Sequence, residues 1–178
     1  MVTSVVLLVA GLGLTISAGA PELATFPQLP IGLLRSSALA GGLVDTVLGG
    51  NVLAQPDAFS TVPLHPLVVA GFGGTVINAL NLLPIGCTDG GRAASALLGR
   101  PGASFVSGFA FLGLLWAGLA GSDLLLFYAA AVSITMLGPE IACRDEVTEV
   151  GVSRILVTSA LGVVVGLSLL PFPLSLPY

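Results

Sequence analysis

No lysine occurs in this chain, and only 8% of its residues carry a charge, against about 25% in ordinary soluble domains. A soluble domain cannot stay in water with so few charges. The deficit excludes that class and predicts an integral membrane protein. The five arginines are scattered and the net charge is −4, so no basic footprint for nucleic acid exists. The two cysteines, Cys87 and Cys143, form no C-x-x-C and no disulfide framework. No basic residue precedes the first apolar run, as it would in a secretory signal peptide. That run is expected to be a transmembrane helix whose N-terminal flank is missing.

What the chain has is long apolar runs, with a mean hydropathy of +1.07. Val2–Ala20 has the length that spans a hydrocarbon core, and Pro21, Pro27 and Pro30 end it. Ile31–Gly49 carries Arg35 near one end and Asp45 near the other. It can span, lie in the interface or re-enter. Asn51–Pro63 reads as a loop. A third run starts at His65-Pro66 and ends near Leu83, with proline suited to the first helical turn. Gly90–Ala103 reads as a hydrophilic link, followed by Ser104–Ala120, Asp123–Leu137 and Ile155–Leu170. The last run contains Gly162-x-x-x-Gly166, a helix-contact spacing. The expected fold is all-α: a polytopic transmembrane bundle of five or six segments forming one domain over residues 1–178. Arg92, Arg100, Arg144 and Arg154 fall in two links that lie on one side, the cytoplasm-like side by the positive-inside rule. In a plastid that side is the stroma.

The stretch Asn78–Arg92 breaks this pattern. Asn78 and Asn81 share a helical face, where amides in a membrane are costly unless bonded. Pro84 frees backbone carbonyls that lipid does not tolerate unless protein or a water-filled cavity satisfies them. Gly86, Gly90 and Gly91 surround Asp89 and let another backbone or a ligand come close. A lone Asp89 reads as a solvated carboxylate past a helix end. A broken membrane helix presenting an acid reads as an embedded site. A transporter built on broken helices would show internal repeats, and none is visible.

The run N-L-L-P-I-G-C-T-D-G-G-R from Asn81 to Arg92 resembles the N-x-x-P-x-x-x-x-D-G signature of site-2-protease-type intramembrane zinc metalloproteases. With G-C before the acid and G-G-R-A after it, the run is most similar to their plastid and cyanobacterial branch. That branch includes the plant chloroplast proteins named for an ethylene-dependent gravitropism-deficient and yellow-green phenotype. His65-Pro66-Leu67-Val68 and the late loop Cys143–Gly151 add to the likeness, which covers about Thr61 to the end. The resemblance implies a zinc held by two histidines of an H-E-x-x-H helix and by the aspartate of the D-G motif. A glutamate then polarises a water on the open fourth position. Carried over, Asp89 is a metal ligand, Asn81 and Pro84 shape the broken helix, and Gly90 and Gly91 allow the turn. Asn81 is also a candidate to bind the unwound substrate backbone. The implied partners are the lipid bilayer and a membrane-protein substrate, with no nucleic acid. The implied location is a chloroplast membrane, thylakoid or envelope, or a cyanobacterial membrane.

The departure is in the histidines. His65 is the chain's one histidine and no H-E-x-x-H is present, so no complete catalytic set is expected in this chain. Three explanations stay open: a chain lacking an N-terminal segment, a natural inactive homologue acting as a scaffold or chaperone-like protein, or one half of a split gene completed by a second chain. His65 itself is expected to be structural or interfacial. Cys87 is expected to be a packing residue. Trp116 and Tyr128 read as core or interface aromatics, and Arg92 as a topology-setting residue or a partner of Asp89 or lipid phosphate. The charged loop Gly138–Arg154 reads as solvated.

Overall fold

A computed structural model of the chain describes residues 1–50, 52–54, 60–119, 123–135 and 150–170. Two compact units emerge, one of Met1–Leu80 with Val163–Tyr178 and one of Asn81–Gly162.

The first unit opens with α1 (Val2–Ser17) and the single turn α2 (Ala20–Leu23). Strand β1 (Gln28–Pro30), α3 (Ile31–Leu34), α4 (Ala38–Leu48), β2 (Thr61–Pro63) and α5 (Pro66–Asn81) follow. Two glycines let α1 and α5 approach closely. A Cβ on Gly11 would stand 2.6 Å from the Val68 nitrogen, and one on Gly71 would run into the Leu8 backbone. This is how membrane helices associate, through small residues that bring backbones together. The polar groups at the contact are bonded. Asn78 Nδ2 donates to Gly74 O at 2.6 Å and to Ser4 Oγ at 3.2 Å. Thr15 Oγ1 donates to Gly11 O at 2.9 Å and accepts from His65 N at 3.1 Å. Leu8, Leu12, Val68 and Phe72 meet Leu29, Ile31, Leu34 and Val44 in one apolar core.

The run Ile31–Gly49 does not form one span. It breaks at Ser36-Ser37, where buried Ser37 caps α4 by accepting from Ala40 N at 3.2 Å. With 11 residues, α4 is roughly 16 Å long, about half a hydrocarbon core. Its two charges have a backbone task instead. Arg35 Nη2 and Nε donate to Leu53 O at 2.7 and 3.1 Å, and Leu53 N donates to Asp45 Oδ1 at 3.0 Å. Both backbone polar groups of Leu53 are thus held by the Arg35 and Asp45 side chains, while its own side chain lies in the core. Gly49 ends α4 in the left-handed region at φ 108°.

The expectation of an all-α chain needs one correction. β1 and β2 pair as a short antiparallel ribbon, Gln28 opposite Pro63 and Pro30 opposite Thr61. Prolines at both ends of the pairing masked it in the sequence, because proline has no N–H for a ladder and reads as a loop.

The second unit holds α6 (Asp89–Leu119), α7 (Asp123–Thr135) and the start of α8 (Val152–Leu169), whose last turns belong to the first unit. The expected link over Gly90–Ala103 is instead helical. It is the first part of α6, separated from the apolar second part by a kink at Gly99 (φ 69°, ψ 173°) just before Pro101. Helices α6 and α7 pack on one another around Ile85, Leu114, Ala129 and Val132. At Gly118 a Cβ would lie 2.8 Å from the Leu126 backbone.

Among the described residues, α6 and α8 are long and apolar enough to cross a membrane. Helices α1 and α5, at 16 residues each, reach about 24 Å, short of the full hydrocarbon thickness. Among the described residues, two helices therefore meet the length and composition of a span, and a bundle of five or six segments is not shown. Most of the charged loop Gly138–Arg154, including Arg144 and Cys143, lies outside the described residues.

Candidate metal-ligand loop

Helix α5 stops at Asn81, and α6 starts at Asp89. Between them Leu82–Thr88 forms a tight irregular loop that proline at position 84 keeps from continuing as helix. Thr88 is the hinge of the local hydrogen bonding. Its Oγ1 accepts from Gly91 N at 3.1 Å, the bond expected of a helix N-cap. The same hydroxyl lies 2.6 Å from Leu83 O and 2.9 Å from Ile85 O, to which it donates. Its carbonyl accepts from Arg92 N at 3.0 Å. One threonine therefore ties the loop to the first turn of α6.

The glycines after Asp89 have a steric cause. A Cβ on Gly90 would collide with the Leu82 carbonyl, and one on Gly91 with the Gly86 carbonyl. The loop backbone lies directly against the helix, and only glycine leaves room for it. Gly86 takes φ 50°, where side chains are disfavoured. Its N–H donates to Ser107 Oγ, 2.9 Å away on α6, while Ile85 is buried in the α6–α7 core.

This construction leaves Asn81, Asp89 and Arg92 exposed. Asp89 is the first residue of α6, where the helix dipole and free N–H groups favour a carboxylate. Its place thus has a structural cause independent of any metal. No ion pair joins Asp89 to Arg92. The two asparagines expected on one face have different fates: Asn78 is bonded to Ser4 and Gly74, and Asn81 is exposed. Cys87 is half-buried.

Among the described residues, no group of three or more His, Cys, Asp or Glu could hold a metal ion. The residues present do not by themselves fit a zinc site. His65 is engaged elsewhere. Its Nδ1 accepts from Leu67 N at 3.2 Å, capping α5, and its ring meets Phe26 edge-on at 5.3 Å.

Two residues that hold the loop escaped sequence reasoning. Thr88 carried a signal, a threonine before Asp-Gly-Gly at a helix start. Ser107 carried none, because its bond joins residues 21 apart. Ser107 also lines an open cleft of about 520 Å³ with Ser104 and Ser133, above Ile85, Phe111 and Val132.

The chain is 36% identical over 144 residues to the Arabidopsis thaliana chloroplast protein called probable zinc metalloprotease EGY1, which covers 81% of this chain and 25% of that protein. It is 42% identical over 124 residues to probable zinc metalloprotease EGY3 of Oryza sativa subsp. indica, covering 68% of this chain and 21% of that protein. A stretch of 73 residues is also 41% identical to DDT domain-containing protein PTM of Arabidopsis thaliana, 41% of this chain and 4% of that protein. No family model and no solved structure matches. A mostly helical chain with these relatives is a homologue of chloroplast zinc-metalloprotease-like proteins. More narrowly, it is a homologue of the EGY group, the plastid branch that the Asn81–Arg92 motif resembles. It spans a fifth to a quarter of the length of those EGY relatives.

Proposed function

We propose that this chain supplies the D-G portion of a site-2-protease-like zinc metalloprotease in a chloroplast membrane, acting on peptide bonds of membrane-protein substrates. The supporting observation is the Asn81–Arg92 loop: a helix break, an exposed Asp89 at the start of α6, and glycines packed against loop carbonyls. In this reading Asp89 is one zinc ligand, and the others come from residues beyond these 178 or from a second chain. Zinc would supply a water acidified toward neutrality. Thr88 and Ser107 fix the loop that carries Asp89, and Asn81 lies at its exposed entrance.

A second reading is supported by the single histidine and by the likeness to PTM, whose name is not that of a protease. In it the same fold serves as a proteolytically inactive membrane scaffold. Metal content separates the two. The chain is purified alone and after co-expression with an H-E-x-x-H-bearing segment of an EGY relative. The protease reading expects little zinc alone, stoichiometric zinc in the complex, and its loss with Asp89→Asn. Stoichiometric zinc in the chain alone, or none in a stable complex, would overturn it, the latter in favour of the scaffold.

A further inference from the structure

The open cleft beside the Asp89 loop lies wholly within the second unit, between that loop, the second part of α6 and α7. Its floor is apolar, made by Ile85, Phe111 and Val132, and three serines line it as well. A serine hydroxyl has one proton to give and two lone pairs with which to accept. Ser104 Oγ gives its proton to Arg100 O at 2.9 Å, and Ser133 Oγ gives its own to Ala129 O at 2.7 Å. Both keep their lone pairs as acceptors. Ser107 is the reverse case. Its Oγ accepts from Gly86 N at 2.9 Å, and no acceptor for its own proton is found among the described residues. A half-buried hydroxyl proton in that position calls for a partner.

One donor and two acceptors over an apolar floor select among occupants. An acyl chain offers no hydrogen bond. A transmembrane helix has its backbone N–H and C=O groups engaged internally. An unwound peptide has both groups free at every residue, with side chains on alternate sides. The cleft is also continuous with the loop of the proposed site. Gly86 lines it and stands three residues before Asp89.

We propose that this cleft holds an unwound stretch of substrate peptide, with a backbone C=O accepting from Ser107, N–H groups donating to Ser104 and Ser133, and an apolar side chain on the floor. Contacts of this kind favour an unwound chain over a helical one and read little of its sequence. The proposal rests on the protease reading for the arrival of a peptide at this place, but peptide binding itself needs no zinc.

The test uses the whole chain in detergent and a fluorescein-labelled hexapeptide of alternating alanine and valine, blocked at its C-terminus. Binding is followed by fluorescence polarisation against empty micelles. A second peptide of the same sequence carries N-methyl groups on its amides, which removes the N–H donors and keeps the apolar side chains. The chain is expected to bind the first peptide at least about fivefold more tightly than the second, and Ser104→Ala and Ser133→Ala each to weaken it about two- to tenfold. Gly108 lines the cleft one turn from Ser104, and a Cβ there would meet nothing within 4 Å. Gly108→Leu therefore fills the cleft without a collision and should abolish binding. Gly113→Leu, equally open and outside the cleft, should not. Equal binding of the two peptides means an apolar contact such as lipid would make, and overturns the proposal. Binding no greater than to empty micelles, or binding that survives Gly108→Leu and both serine variants, also overturns it. These outcomes are independent of metal content. Zinc in the co-expressed complex without peptide binding removes the cleft and leaves the protease reading. Peptide binding that obeys the variants in a chain whose complex holds no zinc does the opposite.

Discussion

Gly90 and Gly91 illustrate what single residues decide in this chain. Each sits where a methyl group would strike a loop carbonyl, Leu82 for one and Gly86 for the other. Gly91→Ala must move the loop or the first turn of α6, at a cost of about 1–3 kcal/mol typical of overpacking. Hydrogen exchange should accelerate at Gly86 and across the start of α6; unchanged exchange would show that the loop does not depend on that contact. Thr88→Ala removes the cap and should cost about 1 kcal/mol, seen as a lower unfolding temperature in detergent. Both glycines stood out in the sequence as permitting a turn and letting another backbone or a ligand come close. The fold adds which backbone lies opposite, the Leu82 and Gly86 carbonyls. Asp45 makes the same point. In sequence it is a charge in an apolar run; in the fold it accepts from Leu53 N at 3.0 Å. Asp45→Ala leaves that N–H unsatisfied in a partly buried site and should cost about 1–3 kcal/mol, while Asp45→Asn, which keeps an acceptor, should cost less.

At the scale of elements, apolar runs located helices better than they located helix ends. Val2–Ala20, the run from His65, and Ile155–Leu170 correspond to α1, α5 and α8 with ends shifted by a few residues. The break inside Ile31–Gly49 was hidden because serine pairs are weak punctuation, and Ser37 acts through a buried cap formed with Ala40. The first part of α6 was hidden for the opposite reason: Gly99 and Pro101 are loop signals, and Gly99 does leave helical geometry, but helix resumes at once on both sides of it. Contacts between α1 and α5 depend on Gly11 and Gly71. Gly71→Leu should separate the two helices near Leu8. In a Ser4→Cys/Gly74→Cys pair on a Cys87→Ser/Cys143→Ser background, oxidative cross-linking should be efficient, and adding Gly71→Leu should abolish it. Cross-linking that persists would mean that the helices are held by other contacts.

For the whole molecule, low charge content predicts the membrane class, two helices have the length and composition of a span, and the kinship with chloroplast EGY proteins follows from the sequence matches. The loop that carries Asp89 was legible because its chemistry is local, a proline, an acid and three glycines within ten residues. The further ligands that the proposal requires have no counterpart in a chain with one histidine, and that histidine caps α5. The central claim is that Asp89 binds zinc when the histidine motif is supplied. It is tested most directly by zinc X-ray absorption on the co-expressed complex, with Asp89→Cys on a Cys87→Ser/Cys143→Ser background. A thiolate at position 89 that binds the metal adds a Zn–S distance of about 2.3 Å, absent with Asp89 in the same background. A variant complex that retains stoichiometric zinc with only nitrogen and oxygen neighbours would contradict the claim.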